Sequence, residues 1–205
     1  MRIITISREF GSGGRELGKR VSDILNWAYY DREIITDIAR EHGLDEAYVD
    51  RILEERPRQT ITIRRSFRTL PRQNENALLL GKEKNVIERI AARGNDCIIV
   101  GRNADLYLKH ENVFSIFVCA SMEARIKRCR ERADVDEVWS DRDLEKKIRG
   151  IDKNRSAIRN LAGGTPWGKS SSYIMTVNTS SWDLRSLSSV IADASLRWFE
   201  GRSTI

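Results

Sequence analysis

Five segments of the chain carry strand-like apolar patterns: Arg2 to Ser7, Trp27 to Tyr30, Cys97 to Val100, Val113 to Cys119 and Tyr173 to Asn178. Three of them are near-continuous apolar runs, which is how strands read when both faces of a parallel sheet are covered. Between the strands the spacing changes to a helical repeat. Arg15 to Leu25 sets Leu17, Val21 and Ile24 or Leu25 on one stripe. Asn76 to Arg93 does the same with Leu80, Val86, Ile87 and Ile90, although Gly81 weakens its start. Further helices are expected over Met122 to Ala133, Asp141 to Leu161 and Asp183 to Phe199. Alternating strand and helix predicts an α/β fold with a doubly wound sheet, and 205 residues suit a single such domain over 1–205.

Two stretches interrupt the alternation. Residues 32–75 hold two short helical patterns split at Gly43, then a polar stretch with Pro57 and Pro71. Residues 134–172 lack a strand pattern and end in the turn-rich run from Ala162 to Gly168. Both read as insertions over one edge of the sheet, where ligands of such sheets bind.

Composition narrows the class. Apolar residues make up 40% and charged residues 32%, and no apolar run approaches the roughly 20 residues of a membrane span. The N-terminus reads as a strand and lacks the order of features in a signal peptide. A cytoplasmic protein with no membrane partner is expected. Cys97, Cys119 and Cys129 cannot form a closed disulfide set, and two histidines, His42 and His110, show no zinc spacing. The net charge of +6 suits an anionic partner without saying which.

The first strand runs into Glu9-Phe10-Gly11-Ser12-Gly13-Gly14-Arg15-Glu16-Leu17-Gly18 and then a helix. Three glycines in four residues let successive backbone N–H groups point inward, and the helix N-terminus adds its positive end. Such a turn cradles the oxygens of a polyphosphate, with Arg15 as the basic residue at the helix start. It departs from the common phosphate-loop pattern at three places: Glu9 stands for the first glycine, Arg15 for the lysine and Glu16 for the metal-binding hydroxyl. Arginine is a bulkier, forked donor. Glu16 is the candidate oxygen ligand for Mg²⁺.

Three clusters follow in order. Arg102 ends the buried strand Cys97 to Val100, where a guanidinium can clamp a phosphate at two points; a surface arginine after a turn glycine is the plainer alternative. Arg125, Arg128 and Arg132 fall on one helical face. They sit among twelve basic and nine acidic residues between 121 and 160, so most of these charges are read as solvated surface, with one or two closing over a triphosphate. Asp152 and Arg155 are three apart on a helix and either converge on a ligand or pair with each other.

In this order the glycine-rich turn, Tyr29-Tyr30-Asp31, Val100-Gly101-Arg102, Ser121 to Arg125 and Asp152-Lys153-Asn154-Arg155 resemble the cytidylate kinase family, and more closely its bacterial cytidylate kinase-like branch. The segment Ile4 to Arg15 is the most specific. The resemblance implies a three-layer P-loop kinase fold with a central parallel five-stranded sheet, a helical acceptor-binding insertion (32–80) and a lid region (121–172). It implies ATP as co-substrate with Mg²⁺, and a cytidine monophosphate-like or related small phosphate acceptor. It places Gly11, Ser12, Gly13, Gly14, Arg15, Glu16, Leu17 and Arg125 around ATP, and Asp31, Arg102, Asp152 and Arg155 around the acceptor. Arg15, Arg102, Arg128, Asp152 and Arg155 are the expected catalytic set. Asn103 stands where the family's Gly-Arg-Asp motif has aspartate.

Two other classes fit some of the same residues. Arg15 and Glu9 suit a nucleotide-binding regulatory protein without turnover. The segment Pro57 to Arg72, with five arginines and no acid, suits a nucleic-acid binder, but its single aromatic, Phe67, is a poor stacking platform and makes nucleic acid an unlikely partner.

Overall fold

The computed structural model describes residues 1–31, 33–43, 72–101, 103–109, 112–132 and 139–202. Arg102 and most of the 57–72 segment lie outside the described residues. The chain forms β1 (Ile3–Arg8), α1 (Gly14–Leu25), β2 (Ala28–Tyr30), α2 (Glu33–His42), α3 (Arg72–Ala92), β3 (Cys97–Val100) and α4 (Ala104–Tyr107). It continues with β4 (Val113–Cys119), α5 (Met122–Glu131), α6 (Asp141–Leu161), a 3₁₀ turn (Ser170–Ser172), β5 (Met175–Asn178) and α7 (Leu184–Arg202). All five expected strands are present and pair in parallel, in the order β2-β3-β1-β4-β5.

Period-two alternation sends successive side chains of the central strands to opposite faces. Ile3, Cys97 and Ile99 join Ile34 and Ala39 of α2 and Leu79, Val86, Ile87 and Ile90 of α3. Ile4, Ile6, Ile98 and Val100 join Leu17 and Val21 of α1 and Leu184, Leu187, Ile191 and Phe199 of α7. Helices on both faces explain why β1 and β3 are buried along their whole length, which makes the expected three-layer architecture.

The differences from the expected boundaries are local. β2 starts one residue late because Asn26 turns left-handed at φ 54° to end α1. β5 starts at Met175 because the 3₁₀ turn precedes it, though Ile174 N–H already donates to Ser115 O at 3.0 Å on the neighbouring strand. Ser121 and Ser140 cap α5 and α6, each hydroxyl accepting the amide three residues on, so both helices start where the cap allows.

Candidate active site

The chain order switches at β1, whose neighbours β3 and β4 leave in opposite directions, and the crevice at the carboxyl end of β1 is where such sheets bind ligands. The turn after β1 lines that crevice. Gly11 has φ 76° and Gly13 φ 85°, backbone conformations that L-residues with a Cβ rarely adopt. A Cβ on Gly13 would also lie 2.8 Å from Leu184 Cδ1, so the turn is held against α7. Gly13 is the N-cap of α1 and offers no capping side chain. The first amides of α1 have no carbonyl one turn back, so they face the crevice as an anion cradle. Leu17 is already inside the helix: its N–H donates to Gly13 O at 2.9 Å and its side chain is in the core.

Around the turn the chain builds a brace. Ser12 is buried, and its hydroxyl donates to Glu9 O at 2.8 Å. Its carbonyl accepts from Thr179 Oγ1 at 2.6 Å and from Arg128 at 3.3 Å, while Arg128 also donates to Thr179 O at 2.6 Å. Burial, and then the neighbouring Arg132 charge, push the Arg128 pKa below the usual guanidinium value. Arg125 is 4% exposed. Its Nε donates to Phe10 O at 2.7 Å, and its terminal nitrogens pair with Asp152 and approach Glu9 at 3.4 Å. Asp152 in turn accepts the Phe10 N–H at 2.8 Å. Glu9, at the place of the usual first glycine, accepts the Ala120 amide at 3.0 Å and so ties the ends of β1 and β4.

On the other side of the turn, Asp31 at the end of β2 is buried between two arginines. Arg15 pairs with it directly, and Arg8 stands 3.6 Å away. Arg8 itself is 8% exposed and packs against Gly101, where an added Cβ would overlap its guanidinium. Arg155 donates to Arg8 O at 3.0 Å and lies 5.8 Å over the Phe10 ring. Asp152 and Arg155 therefore both turn to the strap Arg8–Phe10.

The cavity at this edge is half open to solvent, with a volume of about 310 Å³. Its wall includes the glycine turn, six cations (Arg8, Arg15, Arg128, Arg132, Lys147 and Arg155) and the apolar side chains of Phe10, Cys129, Trp139 and Leu144. The structure thus brings together the expected Gly11, Gly13, Gly14, Arg15, Arg128 and Arg155 and sets Ser12, Arg125 and Asp152 behind them. Glu16 was the expected metal ligand. Its carboxylate is bound by Arg20 at 2.9 Å and Arg132 at 2.5 Å. Two guanidiniums occupy the oxygens a hard cation would need, so this carboxylate does not fit as a direct Mg²⁺ ligand in this arrangement. Among the described residues no group of three or more His, Cys, Asp or Glu could hold a metal ion.

Arg8, Thr179, Trp139 and Lys147 are the wall and brace residues that pattern reading passed over. Arg8 and Thr179 carried a usable signal, because each directly follows or ends a strand at the ligand edge of the sheet. Trp139 and Lys147 carried none.

The cysteines are all unpaired with one another. Burial, with the Asp96 charge adding to it, pushes the Cys97 thiol up to about 11. Burial also raises Cys129, against the pull of Arg125, Lys147 and Arg132. At pH 7.5 Cys97, 1% exposed, should resist iodoacetamide until the chain is denatured, and mass spectrometry of the alkylated peptides would read this. Alkylation of Cys97 at the rate of a free thiol would show that β3 opens far more readily than its burial allows.

The profile of the cytidylate kinase-like family matches residues 3–181. The chain belongs to that family. A cytidylate kinase from Aeropyrum pernix is 29% identical over 171 residues, covering 78% of this chain and 87% of the relative. The structure of an uncharacterised protein from Eubacterium ventriosum superposes with a TM-score of 0.68 at 21% identity, covering 95% of this chain and 98% of that one. Shikimate kinase from Acinetobacter baumannii, in complex with shikimate, gives a TM-score of 0.54 at 15% identity, over 96% of this chain and 94% of that one. The family member thus has the P-loop kinase fold, in agreement with the strand order above. Among its described residues, no helix is long and apolar enough to cross a membrane.

Proposed function

We propose that this chain is an ATP-dependent phosphotransferase that moves the γ-phosphoryl group to a cytidine monophosphate-like nucleotide or a related small phosphate acceptor. The observation that carries the reading is the uncapped N-terminus of α1, opened by Gly11 and Gly13, at the base of a cavity walled by six cations. In the transfer, an acceptor oxygen bonds the γ-phosphorus as the bond from that phosphorus to the β–γ bridging oxygen breaks, releasing ADP. A phosphate oxygen is already ionised, so no general base is required, and positioning with cationic stabilisation carries the rate.

In this reading the Gly11–Glu16 backbone holds the polyphosphate, and Arg15 and Arg128 balance its charge. Asp31, Arg102 and Arg155 face the acceptor, the stretch 32–80 covers it, and 121–172 forms the lid. Asp152 acts through the Phe10 amide and Arg125 that it holds. Arg15 must leave Asp31, or reach past it, to touch phosphate, and this engagement is what favours the second reading, a nucleotide-binding regulator without turnover.

A coupled assay with ATP, Mg²⁺ and the monophosphates of cytidine, deoxycytidine and uridine separates the two. ADP release that depends on an acceptor supports the kinase; ATP binding without transfer to any of them leaves the regulator. Arg102→Ala is expected to raise the acceptor KM at least 10-fold while ATP affinity stays within about 2-fold, as loss of a two-point phosphate contact requires. Equal loss of both would place Arg102 on the ATP side.

A further inference from the structure

Five of the six cavity cations already face an oxygen: Arg8 and Arg15 face Asp31, Arg128 holds Ser12 O and Thr179, Arg132 holds Glu16 and Arg155 holds Arg8 O. Lys147 differs. Among the described residues Lys147 is paired with no carboxylate, and its ammonium lies 4.9 Å from the centroid of the Trp139 ring. Both side chains line the cavity together with Gly11, Gly13 and Gly14. Trp139 is itself an exposed large aromatic at 39%, immediately before the Ser140 cap of α6.

The chain also lacks a lysine in its phosphate turn. Arg15, in that place, is directed to Asp31, and its forked guanidinium is a different donor from a mobile ammonium. Lys147 has what the turn lacks: a compact charge on a flexible stem with three rotatable donors. Five residues further along α6, Asp152 grips the Phe10 amide, which fixes this helix against the β1 end of the turn. That end carries Arg8, whose guanidinium lies 3.6 Å from Asp31, the residue assigned above to the acceptor.

We infer that Lys147 is the lid cation that binds the terminal phosphate of the triphosphate, supplying the ammonium contact absent from the phosphate turn, and that Trp139 holds it ready when the cavity is empty. An ammonium over a partly exposed ring is held more weakly than one bonded to phosphate oxygens, so entry of a triphosphate draws Lys147 from Trp139. The Trp139 ring then loses its cation, and the exchange couples nucleotide binding to the start of α6. This inference rests on the proposed ATP site and not on the acceptor.

The test is the ratio of ATP to ADP affinity, measured by calorimetry on the full chain and on Lys147→Met and Lys147→Arg. Lys147 is exposed, so neither change should disturb folding, and the thermal midpoints check this. Lys147→Met is expected to weaken ATP about 10-fold or more while ADP changes less than 3-fold, with Lys147→Arg recovering part of the loss. A second readout is the tryptophan emission change on adding ATP, expected to shrink in Trp139→Phe and in Lys147→Met. An unchanged ratio, or equal weakening of ATP and ADP, overturns the inference while leaving the ATP site in place. Absence of ATP binding by the parent chain overturns both. Failure to find an acceptor sinks only the kinase reading, because the affinity ratio is read without turnover.

Discussion

Arg125→Ala should abolish most phosphoryl transfer, lowering kcat/KM by about 100-fold or more, although Arg125 is buried behind the cavity and is absent from its wall. The glycine turn, proposed to receive phosphate, has no regular ladder of its own, so its shape depends on what grips it. Arg125 holds Phe10 O at 2.7 Å, pairs with Asp152 and approaches Glu9 at 3.4 Å. Without the guanidinium, two largely buried carboxylates lose their cation and the Phe10 carbonyl loses its donor. Breaking such a group by removing one member destabilises by about 2–4 kcal/mol, here below the fully buried extreme because Glu9 is 24% and Asp152 15% exposed. Urea unfolding would measure that loss, and activity assayed well below the lowered midpoint would separate it from the catalytic effect. Arg125→Lys keeps one charge but cannot reach three acceptors, so it should recover more stability than activity. Full activity in Arg125→Ala would show that the turn holds its shape without this brace.

The largest stability effect is expected at Arg159→Met. Arg159 is fully buried near the C-terminal end of α6. Two of its nitrogens bond Asp105 of α4 at 3.0 and 2.7 Å, its Nε donates to Thr165 O at 2.7 Å, and its guanidinium lies 5.0 Å over the Tyr173 ring. Methionine matches much of the volume but leaves the Asp105 carboxylate, 7% exposed, without its cation. The cost is about 3–5 kcal/mol, or roughly a 10 °C fall in midpoint for a chain of 205 residues. The double variant Arg159→Met with Asp105→Leu should regain much of it, because the uncompensated charge is gone and the pair is replaced by apolar contact. A double variant no better than the single would mean that the contacts to Thr165, not the ion pair, dominate.

These two arginines mark where pattern reading stops. Between residues 121 and 160 the sequence holds twelve basic side chains in helical register, and nothing local separates Arg125 and Arg159 from Arg130 or Arg149. Arg130 and Arg149 are exposed, with carboxylate partners on the surface. Arg125 and Arg159 are inside because acceptors from distant segments converge on them: Phe10, 115 residues away, and Asp105, 54 residues away. The Asp152–Arg155 spacing shows the same limit. Three-residue spacing puts both on one helical face, but that face was free to close on itself or on a partner. The turn at Arg8–Phe10 supplied the partner.

What the sequence determined by itself is the scaffold and the position of its glycine turn. Apolar runs place all five strands, and Gly11 and Gly13 permit the left-handed backbone that opens the α1 N-terminus, since these signals are local and depend only on neighbouring residues. The tertiary structure decided which charges are available to a ligand. It committed Glu16 to Arg20 and Arg132, Arg15 to Asp31 and Arg125 to the back of the turn, and it left Lys147 resting on Trp139. For Asp31 and Arg125 the physical reason is that a buried charge is tolerated only where charged partners are assembled around it. That assembly joins β1, β2, α5 and α6, elements far apart in the chain, and exists only once the sheet has brought their ends to one edge.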